Sequence, residues 1–125
     1  MTAIDMMNRL STIVQELGVA YHELARLEEI ARTVELSAER MEALTYTKYK
    51  AQHEKSDDFT RKMVTETEEV YQAKLNTIQC QAKHRAHWGT VKTLEKEYDM
   101  LRSGLGMERA KLTAGIELGN HDTGG

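Results

Sequence analysis

The sequence predicts an all-α fold: a long antiparallel helical hairpin or coiled coil, with a short N-terminal helical arm, that assembles as an oligomer. Its 125 residues include no proline, the usual breaker of long helices. Apolar or small residues recur at alternating steps of three and four between residues 17 and 41, as in a coiled-coil seam. Charged residues make up 30% of the chain and aromatic residues 6%, which suits packed helices better than a thick globular core.

Residues 1–17 are predicted to form the arm, because their apolar side chains fit one stripe of a short amphipathic helix. Gly18 costs a helix interior about 1 kcal/mol relative to alanine, so it is either a joint between helices or a tolerated glycine. If the arm folds back at this point, the chain is a three-helix monomer, the main alternative to an oligomeric hairpin. The stripe comprises Ile4, Met7, Leu10, Ile13, Val14 and Leu17.

The first long helix is predicted over about residues 18–47. Five acidic and two basic residues lie between Glu28 and Leu44, so the outer face of this helix is acidic. Glu28 and Arg32 are four residues apart in the order that supports a helix. The predicted seam consists of Leu17, Ala20, Leu24, Leu27, Ala31, Val34, Ala38 and Met41.

A turn is predicted at about residues 48–58. The helical pattern weakens at residues 45–47, where β-branched and aromatic side chains lower helix propensity. Residues 56–58 then supply serine and aspartate, which are good N-caps for a following helix.

The second long helix is predicted over about residues 59–103, followed by a weaker helix at 104–118 and a disordered tail at 119–125, all within one domain. Gly104 and Gly106 are the reason for the weaker part, because glycine disfavours a helix interior. The predicted seam consists of Met63, Glu66, Val70, Ala73, Thr77, Cys80, His84, His87, Val91, Leu94, Tyr98, Leu101 and Leu105.

Association of several copies is expected because a two-helix hairpin leaves apolar surface in water. The second helix carries a further stripe of Tyr71, Leu75, Ile78 and Ala82 beside its seam, which gives it a face wide enough for two neighbours. The predicted oligomer-interface residues are Leu24, Leu27, Val34, Met41, Trp88, Val91, Leu94, Tyr98, Leu101 and Leu105.

Two groups of basic residues indicate a nucleic-acid partner, although the formal net charge is −3. One group flanks Tyr46, Tyr49 and His53 at the predicted turn, and the other lies between Val70 and Leu94, a stretch without acidic residues. Cations neutralise phosphates while aromatic faces stack on bases, as binding of a single strand requires. The predicted binding residues are Lys48, Tyr49, Lys50, Lys55, Arg61, Lys62, Lys83 and Arg85.

Membrane, metal and enzymatic functions are not expected. Apolar runs are short and interrupted by charge, and the chain opens without a signal pattern, so we expect a cytoplasmic protein. Cys80, His84 and His87 share a helix face, but structural zinc takes four ligands, so we assign them to the packing seam. No cofactor is expected, because no histidine follows a glutamate by three residues and no glycine-rich phosphate loop is present.

A series of short motifs follows the order found in one known family. A charged first helix precedes Lys48-Tyr49-Lys50, and His87-Trp88-Gly89, Leu101-Arg102-Ser103-Gly104 and Met107-Glu108-Arg109-Ala110 come after it. In these features, over about residues 20–118, the chain resembles the UvsY-type recombination mediators of bacteriophages. This family's basic element has arginine at the position of Lys50.

The resemblance implies a non-enzymatic accessory factor in the cytoplasm of an infected bacterium. Members of this family form ring-like oligomers, bind single-stranded DNA and help a strand-exchange recombinase to replace the single-strand-binding protein. By the same resemblance, the residues at 48–50 contact DNA, and Arg102 lies in a region of self-association without a DNA contact.

A helical protein–protein interaction module, such as a phage-encoded inhibitor or assembly adaptor, is the alternative function. The acidic outer face of the first helix and the net charge of −3 favour it over nucleic-acid binding. The basic group between Val70 and Leu94 then pairs with the acidic helix of the same chain. Exposed basic side chains favour DNA binding, whereas pairing within the chain favours the interaction module.

Overall fold

Three helices make up the chain: α1 at Ala3–His53, α2 at Asp57–Glu66 and α3 at Glu68–Thr123. The computed structural model describes the backbone of residues 1–123 and the side chains of residues 1–115. No strand occurs in residues 1–123, which confirms the predicted all-α class. None of the helices, over the part described, is both long enough and apolar enough to span a bilayer.

The residues group into two compact units. The terminal unit consists of Met1–Tyr21 with the part of the chain from Gly89 onward, and the central unit is His22–Trp88. In the terminal unit Ile13 and Val91 are fully buried, and in the central unit Val64 and Val70 are fully buried. Each unit therefore has buried residues of its own.

Helix α1 includes the predicted arm and continues through Gly18 without interruption, so the arm is not a separate element. A reciprocal cap begins the helix: the Asp5 amide donates to Thr2 Oγ1 (3.1 Å) and the Thr2 amide donates to Asp5 Oδ2 (3.3 Å). The seam also starts earlier than predicted and keeps its three-and-four spacing throughout. Its buried and half-buried members are Ala3, Met6, Leu10, Ile13, Leu17, Ala20, Leu24, Leu27, Ala31, Val34 and Ala38.

Helix α3 has the predicted seam from Val70 to Leu105, and every predicted position in it is buried or half-buried. The helix passes through Gly104 and Gly106 and continues to Thr123, so the predicted weaker helix is not a separate element. The tail predicted at residues 119–125 is helical as far as Thr123, and residues 124 and 125 lie outside the described residues.

The connection between the long helices covers residues 54–67 and contains α2, where the sequence predicted a turn at residues 48–58. Helix α1 ends six residues beyond the predicted boundary at residue 47, and Glu54 then adopts a left-handed conformation (φ 47°). Ser56 caps α2 by accepting a hydrogen bond from the Phe59 amide (3.3 Å). Thr67 is extended (ψ 142°) and separates α2 from α3, while its side chain donates to the Val64 carbonyl (2.7 Å). The residues predicted to begin the second long helix thus form α2 and the start of α3, with Thr67 between them.

Ion pairs link α1 to α3 within each unit. In the terminal unit Arg9 binds Glu97 through two hydrogen bonds, of 2.8 and 3.0 Å. The Arg9 guanidinium holds the pKa of Glu97 below its ordinary value. In the central unit Lys74 Nζ lies 3.3 Å from Glu42 Oε2. These charged side chains flank the seam and fix the pairing of the two helices.

Gly106→Ala is expected to raise the free energy of unfolding by about 0.5–1 kcal/mol, since alanine is the better helix former. The added methyl group would meet no atom within 4 Å. Gly104→Ala is expected to raise the free energy of unfolding by less, because the added Cβ would lie 3.0 Å from Met6 Sδ and the Met6 side chain must move. Urea unfolding followed by far-UV circular dichroism measures both variants. Equal gains would contradict close packing of Met6 on Gly104.

Candidate nucleic-acid interface

Six of the eight predicted binding residues lie in one segment of the central unit, residues 48–62, which comprises the end of α1, the connection and α2. Lys48, Tyr49 and Lys50 belong to the last turns of α1, and Lys55 lies in the connection. The remaining two, Arg61 and Lys62, are exposed residues of α2. We call these six residues the turn cluster. The end of α1 and the capped start of α2 bring them into one short segment.

Lys83 and Arg85 do not belong to the turn cluster. They lie on α3, at about 22 and 26 Å along the helix axis from its first residue. Both side chains are exposed, and no carboxylate of residues 1–115 forms an ion pair with either. The predicted second basic group is therefore a separate surface from the turn cluster.

Asp57 holds the connection in place and lowers the positive charge of the turn cluster. Tyr46 Oη donates a hydrogen bond to Asp57 Oδ1 (2.7 Å), and Lys50 Nζ lies 3.0 Å from the same oxygen. Lys50 also donates to the backbone carbonyl of Lys55. Lys50 consequently joins the end of α1 to the start of α2, and its charge is partly neutralised within the chain.

This network shifts the pKa values of its two acidic members in opposite directions. The hydrogen bond from Tyr46, followed by the contact with Lys50, lowers the pKa of the Asp57 carboxyl. The same hydrogen bond raises the pKa of the Tyr46 phenol, because ionisation would place two negative charges side by side. Both shifts favour the pair of a neutral phenol and an ionised carboxylate.

Aromatic side chains differ in their accessibility around the turn cluster. Tyr49 is half-buried, and its ring lies against that of His53 with 5.6 Å between centroids. Phe59 is 46% exposed, and Lys55 Nζ lies 5.9 Å from the centroid of its ring. Phe59 is not among the binding residues predicted from the sequence, although its position between Lys55 and two basic residues of α2 indicates such a role.

The cations of the turn cluster differ in whether they form ion pairs within the chain. Lys48 and Lys62 are exposed, and neither forms an ion pair with any side chain of residues 1–115. Arg61 lines a groove of about 470 Å³ together with Glu39 and Glu42 of α1. Acidic side chains thus border the turn cluster on the α1 side.

Most predicted oligomer-interface residues lie in the seam of a single copy. Val91 and Leu105 are buried within the chain. Six others are half-buried: Leu24, Leu27, Val34, Leu94, Tyr98 and Leu101. Met41 and Trp88 are 40% and 49% exposed. Packing of α1 on α3 therefore covers much of the surface that was predicted to form contacts between copies.

The three residues considered as zinc ligands also lie in the seam. Cys80, His84 and His87 are half-buried, and Cys80 Sγ donates to Asn76 Oδ1 at 3.8 Å. Within the described residues, no group of three or more histidine, cysteine or acidic side chains has the arrangement of a metal site.

Comparison with known proteins assigns this chain to no family. No protein-family model, no curated protein and no solved structure matches it. On its own geometry the chain is a helical protein with a cationic, partly aromatic surface around a short capped helix.

Asp57→Asn is expected to lower the pKa of Tyr46 toward its ordinary value, because the phenol loses the carboxylate that opposes its ionisation. A spectrophotometric titration of tyrosinate absorbance measures this shift. Asp58→Asn is the matched control, since the neighbouring carboxylate accepts no hydrogen bond from a residue of the described part. A Tyr46 titration that is identical in the two variants would contradict the bond.

The shifted pKa values of Asp57 and Tyr46 also define the pH range in which their hydrogen bond stabilises the connection between α1 and α2. The contribution of Asp57 is present above the unfolded pKa of about 3.9 and is lost as pH falls through the lower folded value. The contribution of Tyr46 is present below about pH 10 and is lost as pH rises through the raised folded value.

Proposed function

We propose that this protein is a non-enzymatic, oligomeric accessory factor that binds single-stranded DNA through the turn cluster. The observation that carries the proposal is the exposure of Lys48 and Lys62 in the same short segment as Phe59, whose exposed ring lies 5.9 Å from Lys55 Nζ. Unpaired cations supply phosphate contacts, and an accessible ring supplies a sequence-tolerant stacking surface. The role in loading a recombinase is supported by the sequence resemblance to UvsY-type mediators.

The proposal includes an antiparallel hairpin of α1 and α3. In the terminal unit Met6 lies next to Gly104, while the later Arg9 pairs with the earlier Glu97. In the central unit Glu42 pairs with Lys74. Glu23, earlier on α1, lies close enough to His87, later on α3, for this histidine to be one of the smaller causes of the lowered pKa of Glu23. Each set of contacts supports opposite helix directions within its unit.

Replacing both Lys48 and Lys62 by alanine is expected to weaken binding of a fluorescent oligo-dT about tenfold at low salt. Two phosphate contacts are lost, so the slope of log K against log salt should fall in magnitude by about 1.4. Fluorescence anisotropy at several salt concentrations gives both quantities.

The matched control is the pair Lys96→Ala and Lys111→Ala, which removes the same charge from exposed sites in the terminal unit. Equal weakening by the two pairs would contradict a localised site. Absence of oligo-dT binding at low salt, with the oligomer intact, would exclude the proposed function.

Asp57→Asn is expected to strengthen oligo-dT binding severalfold. The substitution removes a negative charge from the turn cluster and releases Lys50 from its 3.0 Å ion pair. Asp99→Asn, an exposed aspartate of the terminal unit, changes the net charge equally and is the control. Weaker binding by the Asp57 variant would show that the ordered connection matters more than its charge.

The alternative function is a protein–protein interaction module, and a specific observation favours it. Glu39 and Glu42 line the groove that also contains Arg61, and Glu42 neutralises Lys74 of α3. A stoichiometric protein partner whose binding is unaffected by DNA would support this alternative. The oligo-dT titration separates the two functions directly.

A further inference from the structure

Helix α1 carries a second heptad stripe in the terminal unit that is separate from its buried seam. The stripe keeps the three-and-four spacing of a coiled coil, yet all of its members are exposed. We call it the outer stripe; it consists of Ile4, Met7, Ser11, Val14, Gly18 and Tyr21. The cap at Thr2 and Asp5 orders the helix from its first turn, so the stripe is preformed.

The outer stripe forms an exposed apolar patch. Ile4, Met7, Val14 and Tyr21 are 70%, 57%, 54% and 48% exposed. These fractions correspond to about 400 Å² of apolar surface, the size of the largest patch on a typical monomer, which is often functional. With flanking polar side chains, pairing two stripes would bury roughly 1,000 Å², the lower limit of a specific interface.

Charge distribution identifies the partner of the outer stripe as a second copy of this chain. None of its six residues is charged, and Asn8 and Gln15, on the side away from the seam, are exposed and neutral. In a symmetric dimer both copies use the same surface, so a charge near the two-fold axis would meet its own like charge. The equivalent positions of α1 from Glu28 to Glu42 are all charged. The uncharged part of this face therefore lies before Glu28.

Side-chain sizes in the outer stripe specify an antiparallel pairing. A two-fold axis between residues 11 and 14 places Met7 of each copy over Gly18 of the other and Val14 over Ser11. Each of these two central layers joins a large side chain to a small one, as close packing requires, and the outer layer joins Ile4 to Tyr21. A parallel pairing would instead set Gly18 against Gly18 and leave a void. A methyl group at Gly18 would touch nothing within the chain, so the open space there is available to a partner.

We infer that the outer stripe is the homodimer interface of this protein, formed by antiparallel pairing of the first 21 residues of two copies. The inference rests on the oligomeric state in the proposed function, but it assigns the contact to a different face from the predicted interface residues. No residue of the turn cluster takes part. DNA binding and self-association are therefore separable by substitution.

Sedimentation velocity over about 5–200 µM protein is the principal test, because an interface of this size gives affinities in the micromolar range. Val14→Glu is expected to raise the dimer dissociation constant at least about tenfold, since two carboxylates meet near the axis. Val19→Glu is the matched control: this valine is 73% exposed on the same helix but lies outside the outer stripe. Circular dichroism checks that both variants keep their helices.

Disulfide cross-linking tests the orientation in a Cys80→Ser background. A mixture of Met7→Cys and Gly18→Cys chains is expected to form disulfide-linked dimers, while Met7→Cys alone does not, because its two copies would be about 16 Å apart along the helices. Cross-linking of Met7→Cys alone would overturn the antiparallel pairing. A monomeric wild-type protein, or equal effects of the Val14 and Val19 variants, would overturn the interface.

The oligo-dT titration of the Val14→Glu variant distinguishes this inference from the proposed function. If both hold, the variant binds DNA through its intact turn cluster but loses the gain from two linked sites. If wild-type protein dimerises through the outer stripe without binding oligo-dT, the interface stands and the DNA-binding proposal fails.

Discussion

The long helices of this protein depend on one another to bury their apolar seams. In each helix two of every seven residues belong to the seam, and a helix on its own cannot bury these residues away from water. Many of the buried seam residues are small, including Ala20, Ala31 and Ala38, so the apolar gain per layer is modest. Stability therefore accumulates along the length of the seam, and the capped start of α1 adds further layers to it.

The narrow seam leaves most side chains of each helix on the surface, where they can serve other purposes. Next to the seam, Arg9 with Glu97 and Glu42 with Lys74 pair the helices through charge. Farther out, the same helix α1 is neutral and apolar near its start and acidic beyond Glu28. One regular backbone thus presents chemically different surfaces at different positions, because only the seam positions are restricted by packing.

Periodicity made much of this architecture predictable from the sequence. The absence of proline and the three-and-four spacing predicted the helical class and the seam residues from Leu17 to Ala38 on α1 and from Val70 to Leu105 on α3, whereas the predicted seam positions Met41 and Glu66 are exposed. The arm was separated from α1 because Gly18 carries an intrinsic cost, but this glycine lies on the exposed side, where the seam continues beneath it. Helix propensity is a local quantity, and the seam overrides it.

The candidate site was predictable only in its composition. Clustering of Lys48, Lys62 and their neighbours follows from chain proximity, whereas the engagement of Lys50 by Asp57 depends on the conformation of the residues between α1 and α2. Likewise, the half-buried state of Leu94 and Tyr98 depends on which face meets the other helix. A sequence pattern shows that a stripe is apolar without showing whether the same chain or another one covers it.

The lone extended residue at Thr67 has a mechanical consequence. Rotation about the two backbone torsions of one residue can re-aim α2 against α3 without breaking a turn of either helix. Such a rotation would carry Arg61 and Lys62 with α2, whereas Lys48 belongs to α1. The distance between these two sets of cations therefore depends on the torsions of Thr67 on one side and of residues 54–56 on the other, and the burial of Thr60 and Val64 resists a change in it.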